Sequence, residues 1–218
     1  MKSATEKLRR LKADPSLAYG VITLDLSEQW EAKELARLLL HSASCYERVN
    51  TAIWFHSQLI REYTPDGPAI IEVPADLRRL LEEGDRGRSW ETITKPGTIR
   101  LTINRVHLAS PGWIEMIGNW NPLKLILEFI TKWRAENTKR SGWVHRSDLD
   151  RRAQDIEMMK LMLDAAKQCR DKRASELIEI FNQHMLIDPL RDAADIASDT
   201  KVPNVRLRRL STTTKLIQ

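Results

Sequence analysis

Among 218 residues the sequence has two cysteines, eight glycines and three phenylalanines, and no long uncharged apolar run. Each scarcity removes a class of protein. Cys45 and Cys169 are too few for a disulfide framework, which predicts reduced thiols and a cytoplasmic setting. Without roughly 18 consecutive apolar residues no ordinary membrane span is expected. The opening MKSATEKLRRLKADPS has no apolar stretch of the kind a signal peptide needs. No G-x-G-x-x-G fingerprint, Walker loop or nucleophile elbow occurs. The nearest cluster, Gly84-Asp85-Arg86-Gly87, lacks the Lys-Ser/Thr that follows a phosphate cradle and reads as a surface loop.

The histidines are also dispersed. His41, His56, His107, His145 and His184 never stand at metal-ligand spacing with a cysteine or with one another, so each reads as a surface or interface histidine. His41 and Cys45 are one turn apart on a predicted helix and could meet, which is the arrangement of a reactive thiolate. No third group orients them by spacing, so packing is the better reading. The expectation is a protein with no catalytic residue, no metal and no cofactor.

What is present is an ordinary globular composition, 42% hydrophobic and 30% charged. A chain this long buries about 70% of its unfolded surface and needs no crosslink to fold. The net charge of +5 gathers at the ends, in Lys2, Lys7, Arg9, Arg10 and Lys12 and again in Lys201, Arg206, Arg208, Arg209 and Lys215. Such ends either hold nucleic acid or anionic lipid by counterion release, or are solvated tails. In the nucleic-acid reading the contacts are Arg9, Arg10, Arg206, Arg208 and Arg209.

Along the chain, residues 1–16 form a basic lead. YGVITLDL, residues 19–26, alternates with a period of two and predicts a strand. Ser27 is positioned as the N-cap of a long helix. Its stripe is Leu35, Leu38, Leu39, Ser42, Tyr46, Val49, Ile53 and Ile60, and Pro65 and Gly67 end it. At about 35 residues this helix either breaks or projects beyond a small sheet. An extended piece (Ala69 to Val73) and a short helix (Ala75 to Glu83) follow, then a loop over 84–97.

TIRLTINRVHL, residues 98–108, predicts a strand whose buried face changes phase, with a bulge at Asn104 or Arg105. Ser110-Pro111-Gly112-Trp113 suits a type II turn, and WIEMIG returns as a second strand. Glu115 shares its face with Trp113 and Ile117, on the solvent side of a one-sided sheet. Asn121 and Pro122 open an amphipathic helix with Leu123, Ile126, Leu127, Ile130 and Trp133 on one face. Ser147 caps a further helical region, Asp188-Pro189 opens another helix, and VRLRRL, residues 205–210, is a last strand.

These segments give an α+β fold, a small mainly antiparallel sheet packed by long amphipathic helices. The organisation is a 17–140 core, a 141–200 helical region and a 201–218 basic tail. The arrangement S-P-G, Ile-Glu-Met-Ile-Gly, then Asn-Pro-Leu opening a helix resembles a pattern in uncharacterised bacterial proteins, some phage- or defence-associated. The resemblance covers residues 98–133 and carries no catalytic residue. It implies a bacterial interaction module.

Tryptophan supplies the remaining signal. Trp113, Trp120, Trp133 and Trp143 fall within one stretch, and tryptophan is enriched at binding hot spots and membrane interfaces. The stripes and these indoles present more apolar area than one subunit is expected to hide. Trp113, Trp120, Trp133, Trp54, Ile53 and Ile60 are the expected interface, with a second copy or another protein as partner. Nucleic acid is the alternative partner. A peripheral membrane contact through the Trp120–Trp133 helix is a further one.

Overall fold

The computed structural model describes residues 18–27, 29–61, 73, 75–85, 100–137, 146–167, 169 and 171–210. The basic lead with Arg9 and Arg10, Pro65 and Gly67, the extended piece over 69–72, the loop over 86–97, Trp143 and the side chains of Ile60 and Ser147 lie outside the described residues.

The fold is α+β. Four strands, β1 (Tyr19–Leu26), β2 (Thr102–His107), β3 (Gly112–Asn119) and β4 (Val205–Arg209), form one sheet in the order β2-β3-β1-β4. Every pairing is antiparallel. The period-two pattern of β1 and β3 becomes a two-faced sheet, with Ile22, Leu24, Leu26, Ile114 and Met116 buried on the inner side. Glycine is required where that side meets a helix. A Cβ on Gly118 would stand 2.7 Å from the Tyr46 ring, whose hydroxyl accepts the Asn119 N–H at 2.7 Å.

The long helix α1 (Ala32–Arg61) is continuous, and 30 residues give it a length of about 45 Å. It does not break, and the part that runs beyond the sheet is covered by other helices. Its first half lays Tyr46 under the sheet, and its second half stacks Phe55 on Phe181, 4.4 Å between ring centroids. Phe181 belongs to α6 (Lys172–Asn182), so the chain's own later helices cover what one small sheet could not. Ser27 does not cap α1. Its hydroxyl reaches the Thr200 carbonyl, and the Glu34 carboxylate takes the Glu31 N–H at 3.2 Å instead.

A short helix, α2 (Ala75–Asp85), lies against α6 with Leu77 and Leu81 buried. The helix α3 (Trp120–Asn137) starts directly from β3, with the Trp120 N–H donated to the Ala18 carbonyl. It runs against β1, β3 and β4 on one side and α7 (Asp188–Ser198) on the other. That double covering buries Leu125 and Phe129 as well as Leu123, Ile126, Ile130 and Trp133.

The helical pattern after residue 146 divides into α4 (Arg146–Gln154), α5 (Glu157–Lys167) and α6. Asp171 makes the last division, because its carboxylate caps α6 by accepting the Arg173 and Ala174 N–H groups. Asp188-Pro189 does not open a fresh helix. A π-turn over Gln183–Ile187 carries α6 into α7, and the Asp188 N–H reaches the Gln183 carbonyl five residues back. The wider turn takes up the proline's missing donor, and the Asp188 carboxylate bonds Gln183 and Arg191 instead.

Two expectations for the hairpin change. The Ser110–Pro111 peptide is cis and Gly112 is not left-handed, so the connection is not a type II turn. Gly112 is needed for space, since a Cβ would lie 2.5 Å from the His107 and Ala109 carbonyl oxygens. The bulge is where the phase slip placed it, with Asn104 inserted between Ile103 and Arg105. The strand has no buried face, however, and all six residues of β2 are exposed.

Candidate binding surface

The sheet's outer face is assembled by register. Asp25, Trp113 and His107 form one row across β1, β3 and β2. Thr23, Glu115 and Arg105 form the next, extended by Arg206 of β4. Val21, Ile117, Thr102 and Arg208 form the third. Strand alternation is the cause, since residues two apart share a face. Arg209 therefore leaves the group, pairing with Gly20 on the helix side, where its guanidinium lies 5.8 Å from the Trp120 ring.

Thr23, Trp113, Glu115, Arg206 and Arg208 line an open cleft of about 320 Å³ on this face. Glu115 stands toward solvent, as the alternation predicts, and accepts a hydrogen bond from Asn104 at 3.2 Å. Asp25 is engaged by Arg206 at 2.5 Å. Trp113 and His107 stack with centroids 5.9 Å apart and planes 29° from parallel. The side chains of Arg105 and Arg208 make no ion pair or hydrogen bond with any described residue.

A second cleft of about 370 Å³ lies between Trp30, Glu34, Arg37, His41, Asp195 and Asp199. Its Glu34 is taken internally by Lys201 at 2.9 Å, which holds the carboxyl below its ordinary range. The same ammonium rests 5.6 Å from the Trp30 ring.

The structure does not bring the expected interface residues together. Trp113 is half-buried on the outer face, and Trp120 is half-buried at the foot of α3. Trp133 is a core residue rather than a surface one, 7% exposed with Arg152 4.7 Å over its ring. Trp54 and Ile53 are half-buried on α1 against the core. The apolar face of α3 is likewise spent inside the fold, leaving no stripe to lie in a membrane interface. No helix among the described residues is long and apolar enough to cross a membrane.

Catalytic chemistry gains nothing from the geometry. Cys45 is fully buried and its thiol is pushed up to about 12, by burial first and by Asp192 second, so the His41–Cys45 spacing yields packing. His56 is not a surface histidine. It is 1% exposed, bonded to Asn182 at 2.7 Å, and burial pulls it down to about 4. Sequence reasoning also missed Arg152, 2% exposed and paired with Glu136 at 2.8 Å. No group of His, Cys, Asp or Glu among the described residues could hold a metal ion. Comparison with family models, with curated proteins and with solved structures finds no match.

Proposed function

We propose that this chain is a non-catalytic, self-associating interaction module of a bacterial or phage multiprotein assembly, working in the cytoplasm and possessing no cofactor. The observation that carries the reading is the apolar ledge of β2. Ile103, Val106 and Leu108 are 48%, 46% and 61% exposed, although they lie on the side of the sheet that the helices cover elsewhere. Apolar side chains clustered on an exposed edge mark a contact surface.

The pattern of TINRVH also suits a two-fold. An antiparallel second copy centred between Asn104 and Arg105 sets Ile103 opposite Val106 and Thr102 opposite His107, the same surface used twice. The bulge at Asn104 and the charge of Arg105 discourage a continuous backbone ladder, so the contact is made by side chains. The bacterial and phage setting rests on the resemblance over residues 98–133.

Size-exclusion chromatography with light scattering tests this. The expected mass is a dimer or larger at micromolar concentration. The double variant Ile103→Asp/Val106→Asp is expected at the mass of one chain, with its circular dichroism unchanged. A wild-type chain that stays single across the concentration series overturns the reading.

A further inference from the structure

The outer face of the sheet is separate from the β2 ledge and carries different chemistry. Strand alternation sets the rows through Trp113 and Glu115 on the face opposite the buried Ile114 and Met116, and their residues on β1 and β3 are half-buried, whereas Val21 in the third row is buried. Arg206 pairs with Asp25, while Asn104 gives Glu115 a hydrogen bond but no opposite charge. Arg105 of β2 and Arg208 of β4 form no ion pair with any described residue, so this face sets three arginines against two carboxylates, a balance of +1 among the described residues. These strands are the two edges, three inter-strand spacings apart, and the two positions are offset by two residues along the strands, so they are separated by about 16 Å. Between them lies the cleft with its Thr23 hydroxyl, and the stacked rings of Trp113 and His107 lie one row beyond Arg105, on the side away from Arg208.

We propose that this face binds single-stranded nucleic acid, laid across the strands from β4 to β2. Arg208 and Arg105 would take phosphates separated along the strand, and the Trp113–His107 pair would stack a base. A polyanion matches the two free guanidinium groups, and a flat π-face matches the rings. Sequence-tolerant recognition of single strands combines these same two elements. An acidic peptide satisfies the charges and leaves the ring pair without a role. The proposal moves the nucleic-acid contact from the basic ends to a built surface, keeping Arg206 and Arg208 and excluding Arg209, which faces Trp120. It does not rest on self-association, because mass and oligonucleotide binding are read separately.

Fluorescence anisotropy with a labelled single-stranded oligonucleotide, over a salt series and with full-length protein, tests it. Wild type is expected to bind with steep salt dependence. Trp113→Ala is expected to weaken binding roughly fivefold to a hundredfold, the range for losing one stacked base, and Trp113→Phe to restore most of it. Arg208→Ala is expected to lower the slope of log affinity against log salt by about 0.7, the single-strand value for one phosphate contact. Circular dichroism on each variant separates lost binding from lost fold. Three outcomes overturn the proposal: no binding, equal binding of poly-glutamate, or binding that ignores Trp113→Ala and Arg208→Ala and vanishes in Arg9→Gln/Arg10→Gln.

Discussion

His56 is the side chain whose titration reaches furthest into the fold. Its imidazole is fully buried, so the neutral form is favoured and the value falls from 6.5 to about 4, the Asn182 bond opposing part of that fall. The unfolded chain therefore takes up a proton at a pH where the folded chain does not. Stability from this group is complete above pH 6.5 and declines as pH falls toward 4. The loss at the low end is on the order of 3 kcal/mol. Urea denaturation at a series of pH values checks it. Wild type should lose stability more steeply than His56→Gln across that window. Parallel curves would remove His56 from the account. Nothing in the sequence marks this histidine, because its partner Asn182 belongs to a helix more than a hundred residues later.

Among the elements, the join between α3, α7 and β4 rests on Arg134. Its guanidinium donates to the carbonyls of Ala197, Val202 and Pro203, so one side chain closes the end of α7 and fixes the lead into the last strand. Arg134→Met keeps the aliphatic packing and removes these donors. The expected cost is on the order of 2 kcal/mol. Hydrogen exchange should quicken first over residues 202–209, and uniform quickening of the whole sheet would contradict that local role. The elements themselves were largely legible. The period of two gave β1, and the turn residues before Trp113 and the proline at 203 gave β3 and β4, each close to its observed bounds, while the slip in phase gave the bulge at Asn104 or Arg105. Helix ends were harder, since Ser27, Asp188 and Asp171 are all plausible caps by residue type. Only the third one caps, and the choice is made by competing partners, Thr200 far along the chain from Ser27 and Arg191 one turn on from Asp188.

The candidate surface belongs to the scale of the whole molecule, and for that reason it was hardest to read. Trp113, Arg206 and Arg208 were visible as residue types, but Arg105, Thr23 and His107 join them only through the strand order β2-β3-β1-β4. The same order corrected the long-helix argument. Apolar area that looked surplus on α1 and α3 is covered by α6 and α7, and among the described residues the large exposed apolar side chains are those of the β2 ledge and Leu40. A chain ending at residue 203 would lack β4, stripping β1 of one neighbour and Arg206 from the outer face. Such a chain is expected to bind a hydrophobic dye and lose cooperative unfolding. A sharp, dye-free transition would show that β4 is dispensable.

The pairing of Asp25 with Arg206 joins residues 181 positions apart. A nascent chain leaving the ribosome makes this central strand 181 residues before the partner of Asp25 on its outer neighbour. Until then β1 offers an open backbone edge beside exposed leucine and isoleucine. Closure demands the longest loop the topology contains, which slows folding. Cells making this protein should depend on chaperone capacity more than they would for a helical bundle of the same size.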